Sequence, residues 1–195
     1  MTPDAVIAAL EGANDLRTAD YRLRPVCDAD LDDLFVHFGD PRVAEFLDNP
    51  PVETRDQAFD IIDWACGVRA AGSGVRWTIR DADDAFLGTC GFHLMNYSHG
   101  RRSDIGYDLG PGHWRRGVMA QVLPAMLAFG FGALDLHRIQ AMVTPGNERS
   151  CRLLVRHGFA REGVLRDFGY WRGRYWDQIQ FARLRTDVQG SSDTE

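Results

Sequence analysis

The sequence predicts one α/β domain whose sheet begins as an antiparallel run and contains one parallel crossover. Three observations carry this expectation. The chain has 195 residues, enough for a single domain with a buried core. Its apolar period changes from helical to alternating near residue 74. A strand, a helix and a strand then follow one another around residues 105–143, the pattern of a crossover between parallel strands.

The elements read in order as follows. Asp4 to Leu10 forms a short helix followed by a polar connector. Tyr21 to Pro25 alternates and ends on proline, as a strand closing into a turn does. Asp28 to Phe38 carries apolar residues at 31, 34, 35 and 38, a helical stripe with Asp28 as its expected N-cap. Val43 to Leu47 is a short helical piece. Thr54 caps a longer helix with Ala58, Ile61, Ile62 and Ala65 on one face, ending near Gly72. Gly74–Arg80, Phe86–Leu94 and Arg101–Leu109 then form an antiparallel meander, with turns at Asp81–Asp84 and Asn96–Gly100. From Gly117 a helical stripe runs through Val118, Val122, Met126 and Phe129, and Pro124 inside it is expected to kink the helix. His137–Val143 is a strand, Glu148–His157 a helix, and Phe159–Tyr170 and Tyr175–Leu184 are two last strands. The domain organisation is an N-terminal extension (1–20), the folded domain (21–186) and a polar tail (187–195) expected to be disordered.

Composition narrows the function classes. Hydrophobic residues at 45% and charged residues at 26% describe an ordinary soluble globular protein. No apolar run is long enough to span a bilayer, so no membrane partner is expected. Met1 to Leu10 holds Asp4 and no Lys or Arg, unlike the start of a signal peptide, so a cytoplasmic location is expected. The net charge of −6 argues against nucleic acid as a partner. Cys27, Cys66, Cys90 and Cys151 have neither Cys-x-x-Cys nor zinc spacing, so they read as free thiols and no metal site is expected.

The segment Gly110 to Gly117 carries the chemistry. A strand ends at Leu109, a helix begins near Gly117, and the loop between holds three glycines, Arg115 and Arg116. The first N–H groups of a helix lack internal partners and, with the helix dipole, attract anions. Gly117 permits close backbone approach. The loop is therefore a candidate diphosphate cradle, with an ordinary solvated turn as the alternative. Neither a Walker-type loop nor a Gly-x-Gly-x-x-Gly turn is present.

Ile105-Gly106-Tyr107-Asp108-Leu109 followed by Trp114-Arg115-Arg116-Gly117-Val118-Met119 resembles the central motif of the GNAT superfamily of N-acetyltransferases. That family's loop reads Gln/Arg-x-x-Gly-x-Gly/Ala; this one departs from it with Trp114 first and Met119 last. The Gly-x-Met form resembles the ribosomal-protein (RimJ/RimL-type) branch. Asn147-Glu148-Arg149-Ser150, Gly158-Phe159, Glu162 to Asp167, Trp176-Asp177, Arg22 to Pro25 and Leu87 to Gly91 fit the same branch in order over about residues 21 to 185.

The resemblance implies the GNAT fold, a mixed and mostly antiparallel twisted sheet of six to seven strands flanked by helices, with a splayed central strand pair. It implies acetyl-CoA as cofactor and direct attack of an amine on the thioester. Trp114, Arg115, Arg116, Gly117, Val118, Met119 and Ala120 would hold the pyrophosphate, and Tyr107, Asp108 and Leu109 the pantetheine arm. The Leu109 N–H would polarise the thioester carbonyl, Ser150 would partner the leaving thiolate, and Asn147 would contact the cofactor. Asn147 is also a natural N-cap. The branch's carboxylate base aligns with Gly169. Asp167 is the substitute ranked first, because it shares a strand face with Gly169 unless a bulge intervenes; Glu162, Tyr170 and His113 follow it. Tyr170 and Trp171 are the expected acceptor wall. The expected partner is an amine-bearing acceptor, a protein N-terminus or a small molecule such as an antibiotic, polyamine or amino-acid-like amine. A homodimer is allowed, and a non-catalytic acyl-CoA-binding module stays open as an alternative.

Overall fold

The computed structural model describes residues 1–188. Its strands are β1 (Leu16–Arg17), β2 (Arg22–Pro25), β3 (Val75–Arg80), β4 (Phe86–Asn96), β5 (Arg102–Leu109), β6 (Arg138–Val143), β7 (Ala160–Trp171) and β8 (Arg174–Leu184). They form one sheet in the order β1-β2-β3-β4-β5-β6-β8-β7. All neighbours are antiparallel except β5 and β6. The helices are α1 (Pro3–Gly12), α2 (Leu31–Gly39), α3 (Pro41–Ala44), α4 (Arg55–Ala70), α5 (Val118–Phe131) and α6 (Glu148–Arg156). The expected tail falls, from Gln189 onward, outside the described residues.

The sheet has eight strands rather than six to seven. The addition is β1, whose two residues are too few to show a period. The first twenty residues also join the core. Val6, Leu10 and Ala13 are buried in it, and the buried Trp77 indole donates to the Ala13 carbonyl at 3.0 Å.

α2 begins three residues later than the sequence suggested. Asp28–Asp30 forms a 3-10 turn behind Cys27 as N-cap. Asp30 is fully buried; its carboxylate accepts from the Cys27 N–H at 2.9 Å and pairs with Arg24 and Arg80. That ionic demand tightens the turn. Thr54 caps α4 as expected, in a reciprocal capping box with Gln57. α5 runs through Pro124 as one helix.

The two faces of the sheet differ in character. One is apolar: Trp77 and Phe92 pack with Phe129 of α5, beside the buried Val122, Leu123 and Met126. The other carries Arg76, Thr89, His93 and Asp108 beneath α2, whose His37 reaches Asp108. Side chains on a strand alternate between faces, so neighbours on β5 serve opposite sides.

One irregularity positions the site. The β5–β6 ladder covers only Arg102–Asp104 against Arg138–Gln140. Gln140 Nε2 donates to Asp104 Oδ1 at 2.6 Å at the fork. Beyond it, residues 105–109 pair only with β4, and residues 141–143 only with β8. The two central strands part there, leaving backbone hydrogen-bonding edges open to the gap.

Candidate active site

A groove of about 1410 Å³ runs through this gap. Its walls are the end of β5, the loop before α5, the start of α6, and the segment from α2 to α4. Volumes of this size exceed a typical small-molecule pocket, and two substrates can meet in it.

The loop wall is built from backbone. Arg115 has φ +60° and Gly117 φ +80°. Left-handed residues alternating along a turn direct successive N–H groups into one concavity. The N–H groups of Ala120 and Gln121 are taken by the Gly117 carbonyl at 3.0 and 3.3 Å. Among the described residues, no protein acceptor takes those of Arg115, Arg116, Gly117, Val118 or Met119. These donors cap the positive end of a 14-residue helix. A Cβ placed on Gly117 meets nothing within 4 Å, so open space lies over the cradle, as a bound polyoxyanion requires. Partial burial and the neighbouring Arg116 lower the His113 pKa.

Trp114 explains its place in the loop. Its Nε1–H donates to the Leu109 carbonyl at 2.8 Å, and Arg149 stands over its ring at 4.8 Å. It ties the strand end, the loop and the start of α6 together. Val118 and Met119 point into the core at 2% and 7% exposure, which anchors the cradle from below.

The α6 side adds hydroxyls. Asn147 caps α6, its side chain accepting from the Ser150 N–H at 3.2 Å. Ser150 Oγ and Tyr107 Oη are 2.7 Å apart, and both line the groove. Burial pushes the Tyr107 pKa far up, so the phenol stays protonated. Its pairing with Ser150 depends on the crossover from β5 to α6, which no local sequence pattern displays.

The opposite side carries a buried ionic network that the sequence did not disclose. The Asp108 carboxylate accepts from the Thr89 N–H at 3.1 Å and the Thr89 hydroxyl at 2.8 Å. It pairs with the Arg76 guanidinium and lies 2.6 Å from His37 Nε2. Burial alone would raise its pKa; Arg76, His37 and Thr89 outweigh that and hold it below the usual carboxylate value. The Asp108 side chain is thereby committed within the protein. His93 lines the groove nearby; burial, then Arg76, lowers its pKa to about 4, so its imidazole is neutral at pH 7.

Five expected residues do not line the groove: Asp167, Tyr170, Trp171, Glu162 and Arg116, the last of which lines a separate pocket beside Arg17 and Asp20. Asp167 has φ +50° and lies in a bulge between Leu165 and Gly169. It is exposed, off the groove lining, and its N–H donates to Asp177 Oδ1 at 2.9 Å. Between Leu165 and Gly169 β7 carries two more residues than β8 does between Gln178 and Trp176, and this interruption, with Asp167 at positive φ, breaks the local alternation on which its choice as base depended. Tyr170 and Trp171 do not line the groove either. Tyr170 packs edge-on to Tyr175, and Trp171 stacks on Trp176 at 5.4 Å. The hairpin contributes through its tip instead: Arg172 donates to the Ala44 carbonyl and tethers the 44–49 segment of the groove wall. Glu162 is paired with Arg138 at 2.7 Å on the surface.

Comparisons with known proteins identify the family and the fold. The model of the family described as "Acetyltransferase (GNAT) domain" matches residues 21–160. The uncharacterized N-acetyltransferase YoaA of Bacillus subtilis (strain 168) is 37% identical over 163 residues, 83% of this chain and 92% of that protein. Mycobacterium smegmatis RimJ in complex with CoA-disulfide shares the fold, with TM-score 0.79 and 22% identity over 86% of this chain and 83% of that one. So does the spermidine N-acetyltransferase of Vibrio cholerae in complex with CoA and spermine, with TM-score 0.76 and 22% identity over 87% and 98%. The chain belongs to the GNAT family. It is a GNAT-family N-acetyltransferase, and enzymes of this family take their acetyl group from acetyl-CoA.

Proposed function

We propose that this enzyme acetylates a primary amine, the α-amine of a protein N-terminus, with the cofactor's diphosphate on the 115–119 cradle. The observation that carries the reading is the run of unpartnered N–H groups at the start of α5, beside an open strand edge. When bound, acetyl-CoA supplies an acetyl thioester. Trp114, Arg115, Arg116, Gly117, Val118, Met119 and Ala120 form or support the cradle. The open edge of Tyr107, Asp108 and Leu109 offers backbone partners to the amides of the pantetheine arm, and the Leu109 N–H donates to the carbonyl oxygen as charge develops there.

The amine nitrogen forms the new N–C bond as the C–S bond breaks. Its proton passes to water in the open groove. Ser150 Oγ, hydrogen-bonded to the protonated Tyr107, donates a hydrogen bond to the departing sulfur, and the thiolate takes up, through water, the proton that the amine released. Asn147 holds the α6 start on which Ser150 sits. A small-molecule amine is the second reading, supported by the shared fold of the Vibrio cholerae spermidine N-acetyltransferase. The test is release of free CoA from acetyl-CoA, screened against N-terminal peptides, amino-acid-like amines and polyamines. Tight CoA binding without turnover on any amine would refute the proposal.

A further inference from the structure

Two motif glycines have a joint purpose that the cofactor does not explain. Arg76 on β3 lies opposite Gly91 on β4, and Gly91 lies opposite Gly106 on β5. The three positions form one row across the sheet. With no side chain at 91 or 106, the Arg76 side chain can cross β4 and reach β5. A Cβ on Gly106 would lie 3.2 Å from Arg76 Nη1 and 3.3 Å from His93 Cε1. The guanidinium is therefore laid over Gly106, two residues past the last β5 residue paired with β6.

Its donors are not all used. Nε donates to Thr89 Oγ1 at 2.9 Å, and Nη2 to Asp108. Among the described residues, Nη1 has no protein acceptor, and Arg76 lines the groove. Both internal bonds hold the fork rigid and leave one edge presented to the gap. This edge is on the α2 side of the sheet, with Asp108 and His37. Tyr107 and Ser150 are on the α6 side, because Tyr107 and Asp108 alternate on β5. The leaving group and the guanidinium thus address the gap from opposite faces.

We propose that Arg76 is a specificity-determining residue: Nη1 binds an oxygen carried beside the acceptor's amine, a carboxylate or a peptide carbonyl. The acceptors are then α-amino compounds and not polyamines. This rests on the acyl-transfer reading above. Because Arg76 is paired with the ionised Asp108, discrimination comes from the free Nη1–H donor, which a carboxylate or carbonyl oxygen satisfies and a second ammonium cannot. The nearest buried carboxylates cannot serve a polyamine: Asp108 is taken by Arg76, His37 and Thr89, and Asp104 is bonded to Gln140. Glu45, Asp48 and Asp60 also line the groove, but as exposed side chains.

The experiment compares matched acceptors by CoA release: L-phenylalanine, its amide, a Phe-Gly-Gly peptide, phenethylamine and spermidine. The wild type is expected to favour the oxygen-bearing acceptors in kcat/KM by at least about 30-fold over phenethylamine and spermidine. Which of the three leads distinguishes carboxylate from carbonyl. In R76K and R76Q the ratio between matched acceptors should fall by about tenfold or more, whatever the absolute rates; CoA affinity checks that each variant is folded. A wild type that prefers spermidine or ignores the oxygen overturns this inference and the α-amine reading together, whereas an R76K variant that keeps the ratio overturns the role of Arg76 alone. No turnover on any amine with CoA still bound overturns the transferase reading and this inference together.

Discussion

The two halves of the groove are made of different material. The cradle half consists of backbone N–H groups from one short segment, solvent-facing and left without protein acceptors. The network half consists of side chains from α2, β3, β4 and β5, buried and bonded to one another. The contrast teaches how each half can be damaged. A backbone site is sensitive to conformation and indifferent to most side chains. A side-chain network is sensitive to loss of any charge, because the partner left behind remains buried.

The largest expected effect comes from breaking the network. Asp108→Ala leaves Arg76 and His37 without their carboxylate, and should destabilise the fold by about 3–5 kcal/mol in urea unfolding. A loss under about 1 kcal/mol would show that the network is not a structural unit. Asp108 keeps a lowered pKa in the fold, so its stabilising share holds above the unfolded carboxylate value and is lost as pH falls through the folded one.

The next effect is a pH dependence from the same side. His93 titrates near 4 in the fold against 6.5 when free. The unfolded state therefore binds more protons between these values, and stability falls as pH drops from 6.5 to 4, by up to about 3 kcal/mol from this group. His93→Gln should flatten that part of the curve, measured by urea midpoints at several pH values. An unchanged curve would relieve His93 of the role.

The cradle half should answer differently. Gly117→Val imposes a β-branched residue at φ +80°, where side chains other than glycine are strained. It also fills the space above the cradle. CoA affinity should drop by about a hundredfold in calorimetry, roughly 2.7 kcal/mol, with α5 intact by circular dichroism. Retained affinity would dissociate the loop from phosphate binding. The smallest effect is chemical: Ser150→Ala, losing one donor, should lower kcat by about tenfold while CoA affinity stays within about twofold. Equal losses in both would leave Ser150 as a helix residue only.

The halves also differ in how far they could be read beforehand. The loop is contiguous, so its glycines, arginines and helix onset between Gly110 and Ala120 are legible without a structure. Arg76, His93 and His37 gave no such signal. Each is a lone polar residue in an alternating or amphipathic pattern, and looks like a solvent-facing position. They are enclosed only when α2 reaches Asp108 through His37 and α4 packs against both α2 and β3. Asp167 lies off the groove for a related reason: strand alternation is legible, but the two extra residues that interrupt it show only in the pairing with the partner strand. The two-residue β1 was too short to carry a period.

The sequence by itself determined the α/β class, the order of long elements and the place of the glycine-rich loop before α5, because these follow from local periodicity and from backbone geometry that glycine favours. Only the tertiary structure decided which side chains meet around the gap between β5 and β6. There, the row Arg76–Gly91–Gly106 comes from strand register, the Tyr107–Ser150 pair from a crossover, and the Asp108–His37 contact from helix packing. Each joins residues distant in the chain, and such contacts have no energy until the fold closes the loops between them.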